Sequence, residues 1–308
     1  MKTNYTLVGD IRDKLKELPD ECIQCCVTSP PYWGLRDYNV DGQIGLEESF
    51  EEFIQVMVDS FEEIKRVLKK DGTCWMNLGD TYLAMQGKGF NGQKSMQENE
   101  LNVSSQVKRP RWMKPKNMCG IPHRVAFALQ ESGWILRQDI VWHKPNPMPE
   151  SIKDRCTKAH EYIFLLTKSD KYYYNADAIR EPVKEISLRR SMDAYRVKNT
   201  DPEKINAPPV LESLGERFVN PEGRNKRSVW RFPTQCYPEA HFATFPEKLP
   251  ELCIKAGSKE GDIVLDPFMG SGTTAWVAQR LGRKWIGVEL NPEYVKIIEK
   301  RVAQQELF

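Results

Sequence analysis

The chain has no run of about eighteen consecutive apolar residues, the length a membrane-spanning helix requires. Its first residues, Met1-Lys2-Thr3-Asn4-Tyr5, lack the apolar core of a signal peptide and lead straight into a strand pattern. Excess charge is also scarce. The formal net charge is +2, so any surface for nucleic acid has to be local. No internal repeat is visible. The eight cysteines are scattered through apolar stretches, which fits reduced thiols in a cytoplasmic protein. Cys119-x-x-x-His123 and Cys156-x-x-x-His160 carry no CxxC pair of their own, so no metal site is expected.

What is present is enough for a sizeable core: 308 residues, 40% of them hydrophobic, with eight tryptophans. Short apolar runs alternate with helical periodicity. Strands are expected at Thr3 to Val8, Ile23 to Thr28, Thr73 to Leu78, Ile135 to Trp142, His160 to Thr167, Asp262 to Leu265 and Trp285 to Val288. Between them, Ile11, Leu15 and Leu18 recur at helical spacing. Ser49 caps a long helix that Lys69, Lys70 and Gly72 bring to an end. Further helices start near Pro122, Pro246, Thr273 and Pro292. Strands alternating with helices predict a mostly parallel sheet covered on both faces. Residues 79 to 117 form a long polar loop. From 179 to 230 the periodicity fades, and eleven Lys and Arg face eight Asp and Glu, as in an inserted domain or loop system.

Two stretches carry chemistry. The first is Thr28-Ser29-Pro30-Pro31-Tyr32-Trp33-Gly34, directly after an apolar strand. The prolines fix the backbone and donate no N–H. Ser29 Oγ and the Pro30 carbonyl become a rigid pair of acceptors beside the Tyr32 ring. Such a set can hold a planar amino group while the ring stacks on its heterocycle. The second is Asp266-Pro267-Phe268-Met269-Gly270-Ser271-Gly272-Thr273-Thr274, joining a strand to a helix. Gly270 and Gly272 permit a tight turn and close approach of a ligand. Glu289 ends the next strand, twenty-three residues after Asp266, where a carboxylate can accept both ribose hydroxyls. The third glycine of the dinucleotide fingerprint is missing. Asp266 suits an ammonium group better than a pyrophosphate, and S-adenosylmethionine combines an amino acid with an adenosine. A nucleotide-binding loop or a purely structural turn remain alternatives for this stretch alone.

Together the two motifs resemble the amino-methyltransferases of DNA, which modify cytosine N4 or adenine N6. Thr28 to Tyr32 is similar to that family's S/D/N-P-P-Y motif, and Asp266 to Gly272 to its cofactor loop. The order, with the catalytic motif first and the cofactor loop last, is similar to the β group, a circular permutation. The resemblance covers nearly the whole chain. It implies a Rossmann-like α/β fold with a seven-stranded, mostly parallel sheet, helices on both faces and an inserted target-recognition region. Residues 1–178 would be the catalytic half, 179–235 the insertion and 236–308 the cofactor-binding half.

The resemblance further implies S-adenosyl-L-methionine as cofactor, held by Asp10, Thr244, Phe245, Asp266, Pro267, Phe268, Gly270, Gly272, Thr273, Thr274, Glu289 and Asn291. Asp10 has a second reading, as the cap of the helix that follows it. Ser29, Pro30, Pro31 and Tyr32 would be catalytic. No Pro-Cys dipeptide is present for the C5-cytosine route. Double-stranded DNA is the implied partner, with the protein associated with the nucleoid. Its contacts are expected from Trp33, Arg36, Lys108, Arg109, Arg111, Arg189, Arg190, Arg224 and Arg227, although Trp33 also reads as packing. Ser29 favours cytosine N4, with adenine N6 the alternative. A cognate restriction endonuclease, the choice between monomer and homodimer, and the DNA sequence recognised stay open. So do two other classes, an NAD-type oxidoreductase and a non-catalytic DNA-binding protein.

Overall fold

The computed structural model describes residues 1–83, 112–183, 220, 222–235 and 245–303. Among these, β1 is Tyr5–Val8, β2 Ile23–Thr28, β3 Leu68–Leu78, β4 Ile135–His143, β5 His160–Thr167, β6 Val229–Arg231, β7 Ile263–Asp266 and β8 Lys284–Glu289. They form one sheet in the order β1-β8-β7-β2-β3-β5-β4-β6. Only β5 runs against its neighbours, β3 and β4. The helices are α1 (Ile11–Lys14), α2 (Phe50–Val67), α3 (Ile121–Glu131), α4 (Lys248–Gly257), α5 (Thr273–Arg280) and α6 (Pro292–Ala303).

The α/β architecture is the one expected, with eight strands among the described residues rather than seven. The extra strand, β6, has three residues, too few to show a period. It is held by pairing with β4 and by the buried Trp230, whose ring lies 6.3 Å from Trp75. β2 is buried along its whole length, as a central parallel strand covered on both faces must be. On one face Phe53, Met57, Phe61 and Ile64 of α2 pack with Val125 and Leu129 of α3. On the other, α4 presses so closely that a Cβ on Gly257 would lie 2.4 Å from Thr73 Oγ1.

Ser49 caps α2 as expected. Its Oγ accepts from Glu52 N at 3.2 Å, and the Glu52 carboxylate accepts from Ser49 N at 3.3 Å. The end of α2 differs from the expectation. The helix stops at Val67, and Lys69 and Lys70 lie in β3. Leu68 is fully buried and pairs with Ile23 of β2, so the sheet claims it before the helix can continue.

The chain divides into two compact units, Met1–Tyr174 with Ser228–Phe308, and Asn175–Arg227. In the second, Glu181 and Arg224 form a backbone bridge, and the Glu181 carboxylate also meets the side chains of Arg224, Lys226 and Arg227. In the first, β2 and β7 are parallel neighbours, with Cys25 opposite Val264 and Cys26 opposite Leu265. From β2 the chain passes through α2 to β3 on one side. From β7 it passes through α5 to β8 on the other. Reversal of strand order at this point opens a crevice at the carboxyl ends of β2 and β7.

Candidate active site

Both motifs open into that crevice, and a hydrogen-bonded strut joins them. Thr28, the last residue of β2, donates from Oγ1 to Asp266 Oδ1 at 2.7 Å. Thr274 donates to Asp266 Oδ2 at 2.7 Å, and the Phe268 amide reaches Oδ1 at 3.2 Å. Asp266 is 2% exposed. It therefore lies within the wall of the crevice, and direct contact with a ligand's ammonium, expected from sequence, gives way to this bracing role. Burial pushes its pKa up to about 6 against the opposing hydrogen bonds of Thr274, Thr28 and the Phe268 amide.

The glycine loop turns as its composition predicts. Gly270 has φ of +52°, and a Cβ built on it would meet nothing within 4 Å. The Gly270 amide donates to Glu289 Oε2 at 2.7 Å, and the Asn291 amide donates to Oε1 at 2.8 Å. Each carboxylate oxygen thus has one protein donor and a lone pair to spare. Burial raises the Glu289 pKa to about 7. The two amides oppose the rise, and the charge of Asp266 adds to it.

Several expected ligand-binding side chains are occupied within the protein. Thr273 Oγ1 accepts from Arg301 Nη1 at 3.0 Å, and Asn291 Oδ1 accepts the Glu293 amide at 3.0 Å. Asp10 takes its second reading. It caps α1 by accepting from the Arg12 amide at 2.8 Å, and it pairs with the Arg12 guanidinium. Burial raises the Asp10 pKa, but the Arg12 contacts outweigh it and hold the carboxyl below its usual value. Pro267 is buried, and Phe268 and Phe245 are half-buried.

After β2, the Ser29–Tyr32 segment is clamped from two sides. The Gly34 amide donates to the Gly45 carbonyl at 2.7 Å. A Cβ on Gly79, just past β3, would lie 2.6 Å from Tyr32 Cε2. Ser29, Pro31 and Tyr32 are half-buried and Pro30 is buried. Trp33 corrects an expectation. It is 1% exposed, donates from Nε1 to the Glu47 carbonyl at 3.0 Å and meets Phe50 edge-on. It anchors the loop to the start of α2 and offers no face to DNA. The charge of Arg36 acts on Tyr38 and Tyr294, as does that of Glu289, which brings the loop after Gly34 to the end of β8.

Thr244, Lys108, Arg109, Arg111, Arg189 and Arg190 lie outside the described residues. Arg224 and Arg227 belong to the second unit, where the Arg227 side chain is 66% exposed. Among the described residues, no group of three or more His, Cys, Asp or Glu is placed to hold a metal ion. No helix among them is long and apolar enough to cross a membrane. Sequence reasoning missed Thr28 as a strut and Glu161, which bonds to Tyr32 Oη at 2.9 Å. The one available signal for Glu161 was a charged residue near the start of an otherwise apolar strand.

Comparison with known proteins agrees with this geometry. A family model described as DNA methylase, for the N6 and N4 enzymes, matches residues 23–300. The Type II methyltransferase M.SmaI of Serratia marcescens is 42% identical over 97% of this chain and 90% of its own length. M.Cfr9I of Citrobacter freundii is 46% identical over 97% of this chain and 87% of its own. Among solved structures, the PvuII DNA methyltransferase, described as cytosine-N4-specific, aligns with a TM-score of 0.64 at 22% identity, covering 98% of this chain and 86% of its own; this likeness speaks to the fold. A putative DNA modification methylase of Thermus thermophilus, solved in complex with S-adenosyl-L-methionine, aligns with a TM-score of 0.60 at 25% identity, covering 98% and 94%. With the family model spanning nine-tenths of the sequence and relatives above 40% identity along nearly all of it, the chain belongs to the N6/N4 family of DNA methylases.

Proposed function

We propose that the protein methylates the exocyclic N4 of a cytosine flipped out of double-stranded DNA, using S-adenosyl-L-methionine. The observation that supports this reading is the pairing of β2 with β7, with Thr28 bonded to Asp266, which joins the Ser29-Pro30 end of β2 to the start of the glycine loop. The residues present fit the cofactor. Gly270 leaves an open cradle, and Glu289 keeps lone pairs for two ribose hydroxyls. When bound, S-adenosylmethionine supplies an electrophilic methyl group on a sulfonium.

The target nitrogen is a poor nucleophile, because its lone pair is delocalised into the ring. Ser29 Oγ and the Pro30 carbonyl accept its two hydrogens and favour a pyramidal nitrogen. Its lone pair would then face the methyl group that the cofactor supplies, the cofactor would leave as the neutral thioether, and the proton lost by the nitrogen would pass to solvent. Orientation and fixed dipoles carry the rate, and no covalent bond to the base is required. Tyr32 stacks on the extruded base, a contact worth roughly 1–3 kcal/mol.

Cytosine is favoured over adenine by Ser29. In the family this motif resembles, Ser at this place mostly accompanies N4-cytosine methylation, and Asp or Asn N6-adenine. A hydroxyl can accept from the amino group or donate to the adjacent ring N3, whereas a carboxylate only accepts. Nucleoside mass spectrometry on DNA methylated in vitro will show N4-methylcytosine. Finding only N6-methyladenine would reverse the base assignment and leave the cofactor and chemistry untouched.

Target recognition belongs, in this reading, to the basic segment 179–235. Arg227, exposed and held at its Nε by Glu181 at 3.3 Å, is suited to a phosphate. Arg227→Ala will weaken binding to all DNA sequences alike and lower the slope of log K against log salt by about 0.9. An unchanged slope would remove Arg227 from the interface. A restriction endonuclease of matching specificity is the natural partner in a Type II system.

A further inference from the structure

Behind the glycine loop lies a buried cation. Arg301, on the last turn of α6, is 5% exposed. Its Nη1 donates to Thr273 Oγ1 at 3.0 Å and to both the carbonyl and the hydroxyl of Ser271 at 3.3 Å. Its Nη2 meets Glu247 Oε1 at 3.3 Å. Arg280 of α5 holds the other oxygen of Glu247 at 2.7 Å. Ile298, three residues before Arg301 on α6, supports the same loop, since a Cβ on Gly272 would lie 3.2 Å from its Cγ1.

This is an unfavourable place for a cation. Gly272 precedes the first turn of α5, where the helix dipole is positive, and burial strips water from the guanidinium. Glu247 and the three oxygens of Ser271 and Thr273 must offset both. An apolar side chain would fill the same space without that demand. What arginine adds is a planar fork that reaches two places at once. One branch lies on Ser271 and Thr273, in and just after the glycine loop. The other lies on Glu247, two residues after Phe245. Cofactor contacts are expected from both stretches, and the fork fixes the distance between them. We propose that Arg301 is a positioning residue for the cofactor, tying the glycine loop to residues 245–247 so that both are in place before S-adenosylmethionine arrives. The proposal rests on the assignment of the glycine loop as the cofactor site.

Arg301→Lys keeps the charge but replaces the fork with a single ammonium that cannot serve both branches. Calorimetry on the full chain measures affinity for S-adenosylmethionine, at a temperature where circular dichroism shows each variant folded. Hydrogen exchange of the empty protein, read by mass spectrometry, reports on the loop itself. Arg301→Lys is expected to bind about tenfold more weakly, the scale of one hydrogen bond to a charged group. Its peptide 267–274 should exchange faster, while 263–266 exchanges as before. Arg280→Gln is the control. It cuts the other contact of Glu247 at a side chain 42% exposed and leaves the fork intact, so affinity should stay within about twofold. Glu247→Gln takes the charge from the far branch and is expected to weaken binding in the same direction. Adding it to Arg301→Lys should cost little more, because both open one bridge.

A lower melting temperature in Arg301→Lys, with affinity and loop exchange unchanged, would overturn the proposal. So would losses that multiply in the double variant, or Arg280→Gln binding as weakly as Arg301→Lys. If Arg301→Lys does not fold, Glu247→Gln decides by its affinity and loop exchange. Gly270→Val separates the two levels of failure. Weak binding there beside normal binding in Arg301→Lys would remove Arg301 alone, whereas normal binding in both would remove the site assignment with it.

Discussion

Gly270→Val will lower affinity for S-adenosylmethionine by more than about a hundredfold while the protein stays folded. The protein itself leaves room for the added side chain, since a Cβ at this position meets nothing within 4 Å. That room opens on the crevice beside Glu289, where the Gly270 amide is bonded. In the proposed complex the branched side chain overlaps bound atoms. Such overlap costs on the order of 3 kcal/mol, which is a hundredfold in affinity. The substitution also strains the backbone, because φ of +52° disfavours a β-branched residue by about 1–2 kcal/mol. Gly261→Val separates the two effects. Gly261 has φ of +82° and likewise nothing within 4 Å, but it lies in the turn before β7, away from both motifs. It should lose a few degrees of melting temperature and keep its cofactor affinity. Calorimetry on both variants makes the comparison, and normal affinity in Gly270→Val would dismiss the glycine loop as the cofactor site.

Cofactor affinity will also rise steeply with pH, by about thirtyfold between pH 5.5 and 8, for a single carboxylate titrating near 7. Glu289 is that group, held up to about 7 by burial. Ribose hydroxyls need it ionised, so binding below its pKa must first remove a proton. The charge of Asp266, itself held up to about 6 by burial, adds to the rise. Glu289→Gln should be weak at every pH and flatten the profile. The effect on stability has the opposite sign. The folded protein holds the Glu289 proton that the unfolded chain releases near pH 4.5, so the carboxylate destabilises the empty protein as pH climbs from about 4.5 to about 7. Melting temperatures of the empty protein should therefore fall across that window from this group's contribution, and bound cofactor should offset the fall. A pH-independent dissociation constant would mean that Glu289 does not contact the ligand.

These expectations draw on two kinds of information that were not equally legible. The strands of the central sheet were readable because parallel strands buried on both faces appear as unbroken apolar runs, as in Ile23–Thr28. Helix starts were readable where capping chemistry is local, as in the reciprocal bonds of Ser49 and Glu52. The end of α2 was not, because a strand partner forty-five residues earlier, Ile23, takes Leu68 into the sheet. β6 was not, because three residues carry no period and Trp230 is ordered by contacts distant in sequence.

At the site, the amino-acid sequence by itself determined what was chemically available. Two prolines remove competing donors beside Ser29, two glycines open the loop after Asp266, and Glu289 stands at the close of the next strand. Those properties belong to residue types and short spacings, which do not depend on how the chain folds back. Which groups meet was decided only by tertiary structure. Asp266 looked like a ligand contact until pairing of β2 with β7 brought the Thr28 hydroxyl to it across 238 residues. Trp33 looked available for DNA until Phe50 of α2 and the Glu47 carbonyl just before that helix buried it. Glu161 showed no link to Tyr32 until β5 was set antiparallel beside β3. A polar side chain's role depends on which partner satisfies it once water is excluded, and that partner is chosen by the register of the sheet.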